Sequence, residues 1–256
     1  MKIIQTIILI IFCIGFVSAE DIHNIELINS VLWQKTSAEY RALAYQAFNL
    51  AQLRLKAALQ QPSDKPLAII VDLDETVLDN SGFEAQTILE GKEFYNDFQE
   101  WVDKAMAKTV PGATDFLNFA YDNQVEVYYI SNRNEKYREG TIKNLLKLGF
   151  PNADNAHVLL RNNDSNKQPR RDIVLSKFNV VLLMGDNLID FLDVFRKKTI
   201  SERYSSVDSL RTEFGKRFII LPNPMYGEWE KTIYGGTRKI DPEKKLELRI
   251  KALQNK

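Results

Sequence analysis

Residues 67–76 read LAIIVDLDET, a run of apolar residues followed at once by two aspartates, Asp72 and Asp74. A short apolar run that starts after turn residues is typical of a strand buried on both faces of a parallel sheet. Side chains alternate along an extended segment, so Asp72 and Asp74 are predicted to point to the same side. The stretch therefore predicts a central strand that carries two carboxylates at its end.

Further short apolar runs lie at 125–130, 157–160, 180–184 and 218–221, with helical patterns between most of them. The stretch 113–121 follows a Pro-Gly turn, and 136–148 ends at Gly149 and Pro151. Strands that alternate with helices predict an α/β fold, a Rossmann-like parallel sheet with helices on both faces. Ligands of such sheets bind beyond the carboxyl ends of the strands.

The remaining segments indicate how the chain is divided. Residues 20–61 contain no Gly or Pro and have a helical period, and residues 84–108 insert a helix-like stretch after the first strand. We expect a single domain over 20–256. Its core would comprise about 63–83 and 109–225, and a small helical cap would comprise about 20–61, 84–108 and the C-terminal segment.

Residues 1–19 have the pattern of a signal peptide. Lys2 precedes an apolar stretch, 7–17, that is shorter than the roughly 20 residues of a membrane-spanning helix. Val17-Ser18-Ala19 then resembles a small-residue cleavage site. The pattern predicts an exported protein, periplasmic or secreted, with no stable membrane span. The alternative, an outer-membrane lipoprotein anchored through Cys13, is disfavoured by the bulky Phe12 before it.

Composition excludes other classes of function. Cys13 is the sole cysteine, so removal of 1–19 leaves no thiol for disulfides or catalysis. Lys2 is the one charged residue lost, so of 34 basic and 34 acidic residues 33 basic ones remain against 34 acidic ones. A charge so near zero gives no reason to expect a nucleic-acid polymer as a partner.

Polar groups follow the other predicted strands. Ser131 and Asn132 come after the second run, Gly185-Asp186-Asn187 come after the fourth, and Lys167 lies in the basic loop 161–171. In a doubly wound sheet these ends converge on one crevice. The set suits phosphoryl transfer from a small phosphomonoester to a carboxylate.

Electrostatics explains why this chemistry needs such a set. Two unit charges about 4 Å apart repel by about 4 kcal/mol at an effective dielectric of 20, so a carboxylate that attacks a phosphate needs nearby cations. Asp72 and Asp186 are suitable ligands for Mg²⁺. Lys167 would neutralise phosphate and nucleophile, while Ser131 and Asn132 would donate hydrogen bonds to the transferring oxygens.

These motifs, in this order, resemble the four signatures of haloacid dehalogenase-like (HAD-like) phosphatases: Asp72-Leu73-Asp74-Glu75-Thr76, Ser131, Lys167 and residues 185–190. Residues 71–81, Ser131-Asn132-Arg133 and 185–191 are similar to class C acid phosphatases of the lipoprotein e type, which are 5'-nucleotidases. The resemblance covers essentially the whole mature chain and implies a HAD-like fold and an acid phosphatase or 5'-nucleotidase.

The resemblance also implies individual roles. Asp72 would be the nucleophile and Asp74 the proton donor, with Mg²⁺ held by Asp72, the Asp74 main-chain carbonyl and Asp186. Apart from the resemblance, Asn187 and Asp190 are predicted to support the ligands: Asp190 would position Lys167 or Asp186, or would cap the following helix. Trp101 and Tyr226 would stack on the base of a nucleotide. Asp79 and Asn80 are predicted to form a turn.

Two alternatives stay open. The chain could be a catalytically silent protein that keeps the fold and binds or stores a metal or phosphate, although the presence of Asp72 argues against it. A signalling receiver domain shares an Asp, a Ser or Thr and a Lys, but the paired acids and the signal peptide argue against it. A homodimer is compatible with the sequence, which does not indicate the oligomeric state.

Overall fold

The computed structural model describes residues 27–91, 94–196, 199–237 and 240–254. The predicted signal peptide, 1–19, and the lipid anchor considered at Cys13 lie outside the described residues. Within the described ranges, no helix is both long enough and apolar enough to cross a bilayer.

The described residues contain a five-stranded parallel sheet and a small antiparallel pair. The strands are β1 (Leu67–Val71), β2 (Leu78–Asp79), β3 (Lys108–Thr109), β4 (Glu126–Asn134), β5 (Val158–Arg161), β6 (Asn179–Gly185) and β7 (Phe218–Ile220). The main sheet has the order β5-β4-β1-β6-β7, and β2 pairs with β3. All four pairings in the main sheet are parallel, as predicted from the alternation of strands and helices.

Strand β1 is central and buried on both faces. Ile69 pairs with Val127 of β4 on one side and with Leu182 of β6 on the other. Ile69 belongs to the larger apolar cluster on one face of the sheet, whereas Ile70 belongs to the smaller cluster on the other face. Full burial of such a side chain stabilises the fold by about 1.5–3 kcal/mol. Burial on both faces explains why the run before Asp72 is uninterrupted.

Helices cover both faces of the sheet. They are α1 (Ile28–Thr36), α2 (Ala38–Leu59), α3 (Ser81–Glu90), α4 (Phe94–Asp103), α5 (Ala113–Asp122), α6 (Arg138–Lys147), α7 (Gln168–Lys177), α8 (Ile200–Ser209), α9 (Glu228–Ile233) and α10 (Pro242–Gln254). Short 3-10 helices lie at Glu135–Tyr137, Leu188–Asp190 and Asp193–Phe195.

Helix α2 packs on the core. The Ser37 side chain accepts a hydrogen bond from the Tyr40 amide at 3.0 Å and so caps the start of the helix. The buried side of α2, which includes Phe48 and Leu55, joins the same apolar cluster as Ile69. The sequence prediction puts 20–61 in the cap, whereas α2 lies on the sheet. The placement of α2 on the sheet does not define a boundary between core and cap, so that division remains a prediction.

The segment between β1 and its crossover helix folds as a helical pair. Helices α3 and α4 pack through Phe83 and Phe98, whose ring centroids are 5.3 Å apart. Leu78 of β2 pairs with Thr109 of β3, and this short ladder brings the chain back to the sheet after the helical pair. The predicted helix-like stretch at 84–108 is thus two helices. They stand beside the carboxyl end of β1.

Candidate active site

The carboxyl ends of the central strands bring the predicted residues together. Asp72 directly follows β1, and Asp186 directly follows β6. Ser131 and Asn132 lie inside β4, which continues to Asn134 and is longer than the predicted run 125–130. These four residues lie at the carboxyl ends of β4, β1 and β6, which are neighbours in the sheet. Their proximity therefore follows from the strand order.

Lys167 lies between two carboxylates. It immediately precedes α7, and 3% of its surface is exposed. Its ammonium group donates to Asp72 Oδ1 and, at 2.6 Å, to Asp190 Oδ1. Burial opposes the charge on this lysine, but the charges of Asp190 and Asp72 raise its pKa overall. The structure therefore places Lys167, which the sequence put in a loop, beside Asp72, the predicted nucleophile.

The cluster has more negative than positive charge. One carboxylate oxygen from each of Asp72, Asp186 and Asp190 lies within 4.8 Å of the other two. Burial raises the pKa of Asp72 to about 7, and the charges of Asp190 and Asp74 add to the effect while Lys167 opposes it. Burial and the charges of Asp190 and Asp72 also raise the pKa of Asp186.

This charge imbalance fits a divalent cation. Among the described residues Lys167 is the single ammonium that contacts this cluster, through Asp72 and Asp190, so two negative charges are unbalanced when all three carboxylates are ionised. Oxygen ligands are those that hard ions such as Mg²⁺ prefer. Both oxygens of Asp190 already accept hydrogen bonds, one from Lys167 and one from the main-chain N–H of Asn187 at 3.0 Å. Asp72 and Asp186 are therefore the better candidates for ligands, and Asp190 supports them.

Gly185 permits the close approach of Asp190. A Cβ atom at this position would collide with the Asp190 carboxylate, because the side chain folds back over the end of β6. Asp186 is held in turn by Asn223, whose Nδ2 donates to Asp186 Oδ2 at 2.8 Å. Asn223 has no local signal in the sequence, because its contact joins positions 37 residues apart.

Asp74 is held by an arginine and an amide. Arg133 Nη2 donates to Asp74 Oδ1 at 2.7 Å, and Arg133 Nε lies 3.0 Å from Oδ1 and 3.2 Å from Oδ2. Asn80 Nδ2 donates to Oδ1 at 2.8 Å. Asp79, which was predicted to form a turn with Asn80, ends β2, and its Oδ1 accepts from the Ser81 amide at 2.8 Å. The contact of Asn80 with Asp74 was missed.

A second arginine orients the polar end of β4. Arg170 Nη2 donates to Asn132 Oδ1 at 2.8 Å, and Nη1 donates to the Ser131 carbonyl. Because Asn132 Oδ1 accepts from Arg170, the amide nitrogen of Asn132 is the group left to donate to a ligand. The Ser131 hydroxyl accepts from the Arg133 amide at 3.1 Å, so its own proton stays available to donate.

The two aromatic residues predicted to stack on a base lie in different places. Tyr226 lines the cavity that contains Asp72, and its hydroxyl donates to Glu75 Oε1 at 2.9 Å. Trp101 is 8% exposed and does not line that cavity; it packs against Phe83, with ring centroids 5.7 Å apart. Its indole nitrogen donates to Asn80 Oδ1 at 3.0 Å. The structure therefore brings Tyr226 to the site, whereas Trp101 lies behind it.

The cavity at the carboxyl end of the sheet has a volume of about 420 Å³. A volume of this order accommodates a small organic ligand. Its lining combines the acids with basic and aromatic side chains: Asp72, Asp74, Asp186, Lys167, Arg133, Phe98, Tyr137 and Tyr226. Anionic and aromatic parts of one ligand could therefore be bound side by side.

Comparison with solved structures identifies the class of fold. The class C acid phosphatase from Bacillus anthracis superposes with a TM-score of 0.87 and 39% identity, over 93% of this chain and 98% of that one. Its tungstate-bound structure gives a TM-score of 0.88 and 39% identity, over 93% and 99% of the two chains. The fold is thus the HAD-like α/β fold of class C acid phosphatases, as the sequence predicted.

Comparison with protein families gives the narrower assignment. Residues 19–229 match the family model of the HAD superfamily, subfamily IIIB (acid phosphatase). Acid phosphatase 1 from Solanum lycopersicum is 26% identical over 167 residues, which span 61% of this chain and 57% of that protein. This chain belongs to the HAD superfamily, subfamily IIIB, the acid phosphatases. Its class C homologues imply a phosphomonoesterase.

Proposed function

We propose that this chain is an exported, Mg²⁺-dependent acid phosphatase that hydrolyses phosphomonoesters, with nucleoside 5'-monophosphates as preferred substrates. The observation that carries the proposal is the contact of Lys167 with both Asp72 and Asp190, next to Asp186. A nucleophilic carboxylate, a buried cation and a divalent-ion ligand set then meet in one cavity. The tungstate complex of the Bacillus anthracis enzyme supports an oxyanion site in this fold.

The first step is attack of an Asp72 carboxylate oxygen on phosphorus. The phosphorus–oxygen bond to the alcohol breaks, and an aspartyl phosphate forms. Lys167 balances the charge of nucleophile and phosphate, while Ser131 and Asn132 donate to the phosphoryl oxygens. Asp74 delivers a proton to the leaving oxygen, which lets the product depart as a neutral alcohol.

The second step reverses the role of Asp74. A water molecule attacks the phosphorus of the aspartyl phosphate, Asp74 takes its proton, and phosphate and free Asp72 are formed. Asp72, the Asp74 main-chain carbonyl and Asp186 would hold Mg²⁺, which when bound offsets the negative charge of carboxylates and phosphate. The acid form of Asp74 is needed in the first step, which favours an acidic pH optimum.

Nucleotide preference rests on the aromatic part of the cavity. Phe98, Tyr137 and Tyr226 line it together with Asp72. Stacking of a base on an aromatic face contributes about 1–3 kcal/mol. This would favour a nucleoside monophosphate over an ester with a small aliphatic group. Trp101, which was predicted to have the same role, does not line this cavity and packs against Phe83 and Asn80 instead.

The direct test is hydrolysis of an aryl phosphate by the purified mature chain with Mg²⁺ and with a chelator. We expect turnover that the chelator abolishes and Mg²⁺ restores. Asp186→Asn should lose most of the activity, whereas Asp122→Asn, at an exposed position on α5, should keep it. Full activity in chelator, or in Asp186→Asn, would contradict the metal assignment.

Export is tested separately. The apolar stretch 7–17 and the site after Ala19 support cleavage there. Expression of the full chain in a bacterial host, followed by N-terminal sequencing of the protein outside the cytoplasm, should give a mature chain that starts at Glu20. A full-length chain retained in the cytoplasm would contradict export, and a lipid-modified Cys13 would show the alternative anchor.

A further inference from the structure

Asn80 lies between the predicted proton donor and two other buried groups. It is 2% exposed. Its amide nitrogen donates to Asp74 Oδ1 at 2.8 Å and to Glu75 Oε1 at 3.0 Å, and its amide oxygen accepts from Trp101 Nε1 at 3.0 Å. All the hydrogen-bonding atoms of this side chain therefore have partners.

Trp101 and Glu75 fix which way the Asn80 amide faces. The indole N–H of Trp101 can only donate, so the group opposite it must be the amide oxygen. The carboxylates of Asp74 and Glu75 accept, so the group opposite them must be the NH₂. A flipped amide would set N–H against N–H at one end and oxygen against oxygen at the other.

Glu75 is itself anchored by distant parts of the chain. It is fully buried, and its backbone is in the left-handed region with φ 60°. Its carboxylate accepts from Gln34 of α1, from the main-chain N–H of Asn80 at 3.2 Å and from the Tyr226 hydroxyl at 2.9 Å. These contacts hold Glu75 in place, so Asn80 lies against a rigid neighbour.

The two carboxylate oxygens of Asp74 accept different numbers of hydrogen bonds. Oδ1 accepts hydrogen bonds from Arg133 Nη2 at 2.7 Å, from Asn80 Nδ2 at 2.8 Å and from Arg133 Nε at 3.0 Å. Among the described residues Oδ2 receives only Arg133 Nε, at 3.2 Å. An oxygen that accepts three hydrogen bonds has no free lone pair for a proton. Oδ2 is the oxygen that can carry it toward the leaving group.

We propose that Asn80 is a positioning residue for the proton donor: oriented by Trp101 and Glu75, its amide joins Arg133 in occupying Asp74 Oδ1, which leaves Oδ2 for proton transfer. This rests on the proposed function and adds a role that Trp101 and Asn80 do not have in it. The property of Asp74 that matters is then which of its two carboxyl oxygens is free. Loss of the Asn80 donor would let the Asp74 carboxyl turn and misdirect its proton.

The experiment compares two esters that depend differently on that proton. An alkyl phosphate such as glycerol phosphate has a poor leaving group and needs protonation, whereas p-nitrophenyl phosphate has a good one and needs little. The measured quantity is kcat/KM, which reports the steps through formation of the aspartyl phosphate. The variants are Asn80→Ala, Asn80→Asp and Trp101→Phe. Trp101→Phe keeps an aromatic ring beside Phe83 but removes the indole N–H.

We expect the variants to lose far more activity on the alkyl ester than on the aryl ester. General acid catalysis contributes about 10²–10⁴-fold. Asn80→Ala and Asn80→Asp should therefore lower kcat/KM at least about tenfold more for glycerol phosphate, with a smaller effect of the same direction in Trp101→Phe. The matched control is Trp33→Phe on α1, a half-buried tryptophan. We expect its kcat/KM on each ester to equal that of the unmodified protein.

Equal loss on both esters, in variants that keep their melting temperature, would overturn the proposal and leave a merely structural role. If the Asn80 variants do not fold, Trp101→Phe decides, since equal or no loss in it would also overturn the proposal. Failure of the proposed function is distinct from this, because the unmodified protein would then hydrolyse neither ester.

Discussion

The ammonium group of Lys167 donates to the carboxylate of Asp72, although the two residues are 95 positions apart in sequence. Both side chains are nearly inaccessible to water, with 4% and 9% of their side-chain surface exposed. Buried opposite charges compensate each other only if each keeps its partner. The pair therefore joins the loop before α7 to the end of β1, and it does so at the centre of the candidate site.

Replacement of Lys167 should damage both stability and activity. Lys167→Met leaves Asp72 and Asp190 buried without their shared cation, and loss of one partner of a buried pair costs about 3–5 kcal/mol. Urea unfolding measures this loss, and an aryl phosphate assay should show activity near zero. Lys177→Met is the control, because Lys177 is exposed at the end of α7. Equal behaviour of the two variants would contradict the assignment of Lys167.

Gly185→Ala should disrupt the site through a collision. The added methyl group meets the Asp190 carboxylate, which must move away from Lys167 and the Asn187 amide. We expect activity to fall at least about tenfold and stability to fall by about 1–3 kcal/mol, as is typical of overpacking. Gly149→Ala separates this from backbone strain: its φ is +73°, but its Cβ would contact nothing within 4 Å. That variant should lose stability and keep activity.

Stability without metal should fall as the pH rises. An aspartate in the unfolded chain has a pKa of about 3.9, whereas burial raises the pKa of Asp72 to about 7. The folded state therefore holds a proton that the unfolded state has already lost. The stability that this proton contributes is present below about pH 4 and is lost as the pH rises through 7. The raised pKa of Asp186 acts in the same direction.

Magnesium should offset this loss, because it competes with the proton for the same carboxylates. We expect saturating Mg²⁺ to raise the melting temperature more at about pH 7.5 than at about pH 5, as measured by differential scanning fluorimetry. Asp186→Asn should remove most of the difference, whereas Asp122→Asn should leave it unchanged. A larger effect of Mg²⁺ at the lower pH would be inconsistent with binding to these carboxylates.

Tyr226 should matter more for nucleotides than for small esters. Tyr226→Ala removes an aromatic wall of the cavity, and stacking is worth about 1–3 kcal/mol. We expect KM for adenosine 5'-monophosphate to rise at least about fivefold, with a smaller change for glycerol phosphate. Tyr226→Phe keeps the ring and loses the bond to Glu75, so it should retain the nucleotide KM. Equal changes for both esters would count against stacking.

The sequence predicts the sheet and the two candidate catalytic acids because both signals are local. The run 67–71 predicts β1, and side-chain alternation predicts that Asp72 and Asp74 point to the same side; both acids follow the strand and line the same cavity. Ser131 and Asp186 were found for the same reason, since each lies at the end of an apolar run. Lys167 is a less specific prediction, because a loop lysine has no periodic pattern that distinguishes it from Lys177.

The supporting contacts could not be read from the sequence, because they depend on tertiary placement. Asn80 looks like a turn residue, yet its amide meets Trp101, which is 21 positions away. Trp101 was predicted to stack on a base. The sequence of a helical segment does not show whether an aromatic residue faces a ligand or the core. No local pattern around Glu75 predicts the hydrogen bond that it accepts from Gln34, 41 positions earlier.

The central claim is that Asp72 accepts the phosphoryl group, and trapping of the phosphoenzyme tests it most directly. The protein is mixed with Mg²⁺ and p-nitrophenyl phosphate, quenched in acid within one turnover, digested and analysed by mass spectrometry. We predict one added phosphoryl group on the peptide that contains Asp72, and none in Asp72→Asn. A phosphorylated peptide elsewhere in the chain, or phosphoenzyme and undiminished turnover in Asp72→Asn, would contradict the account.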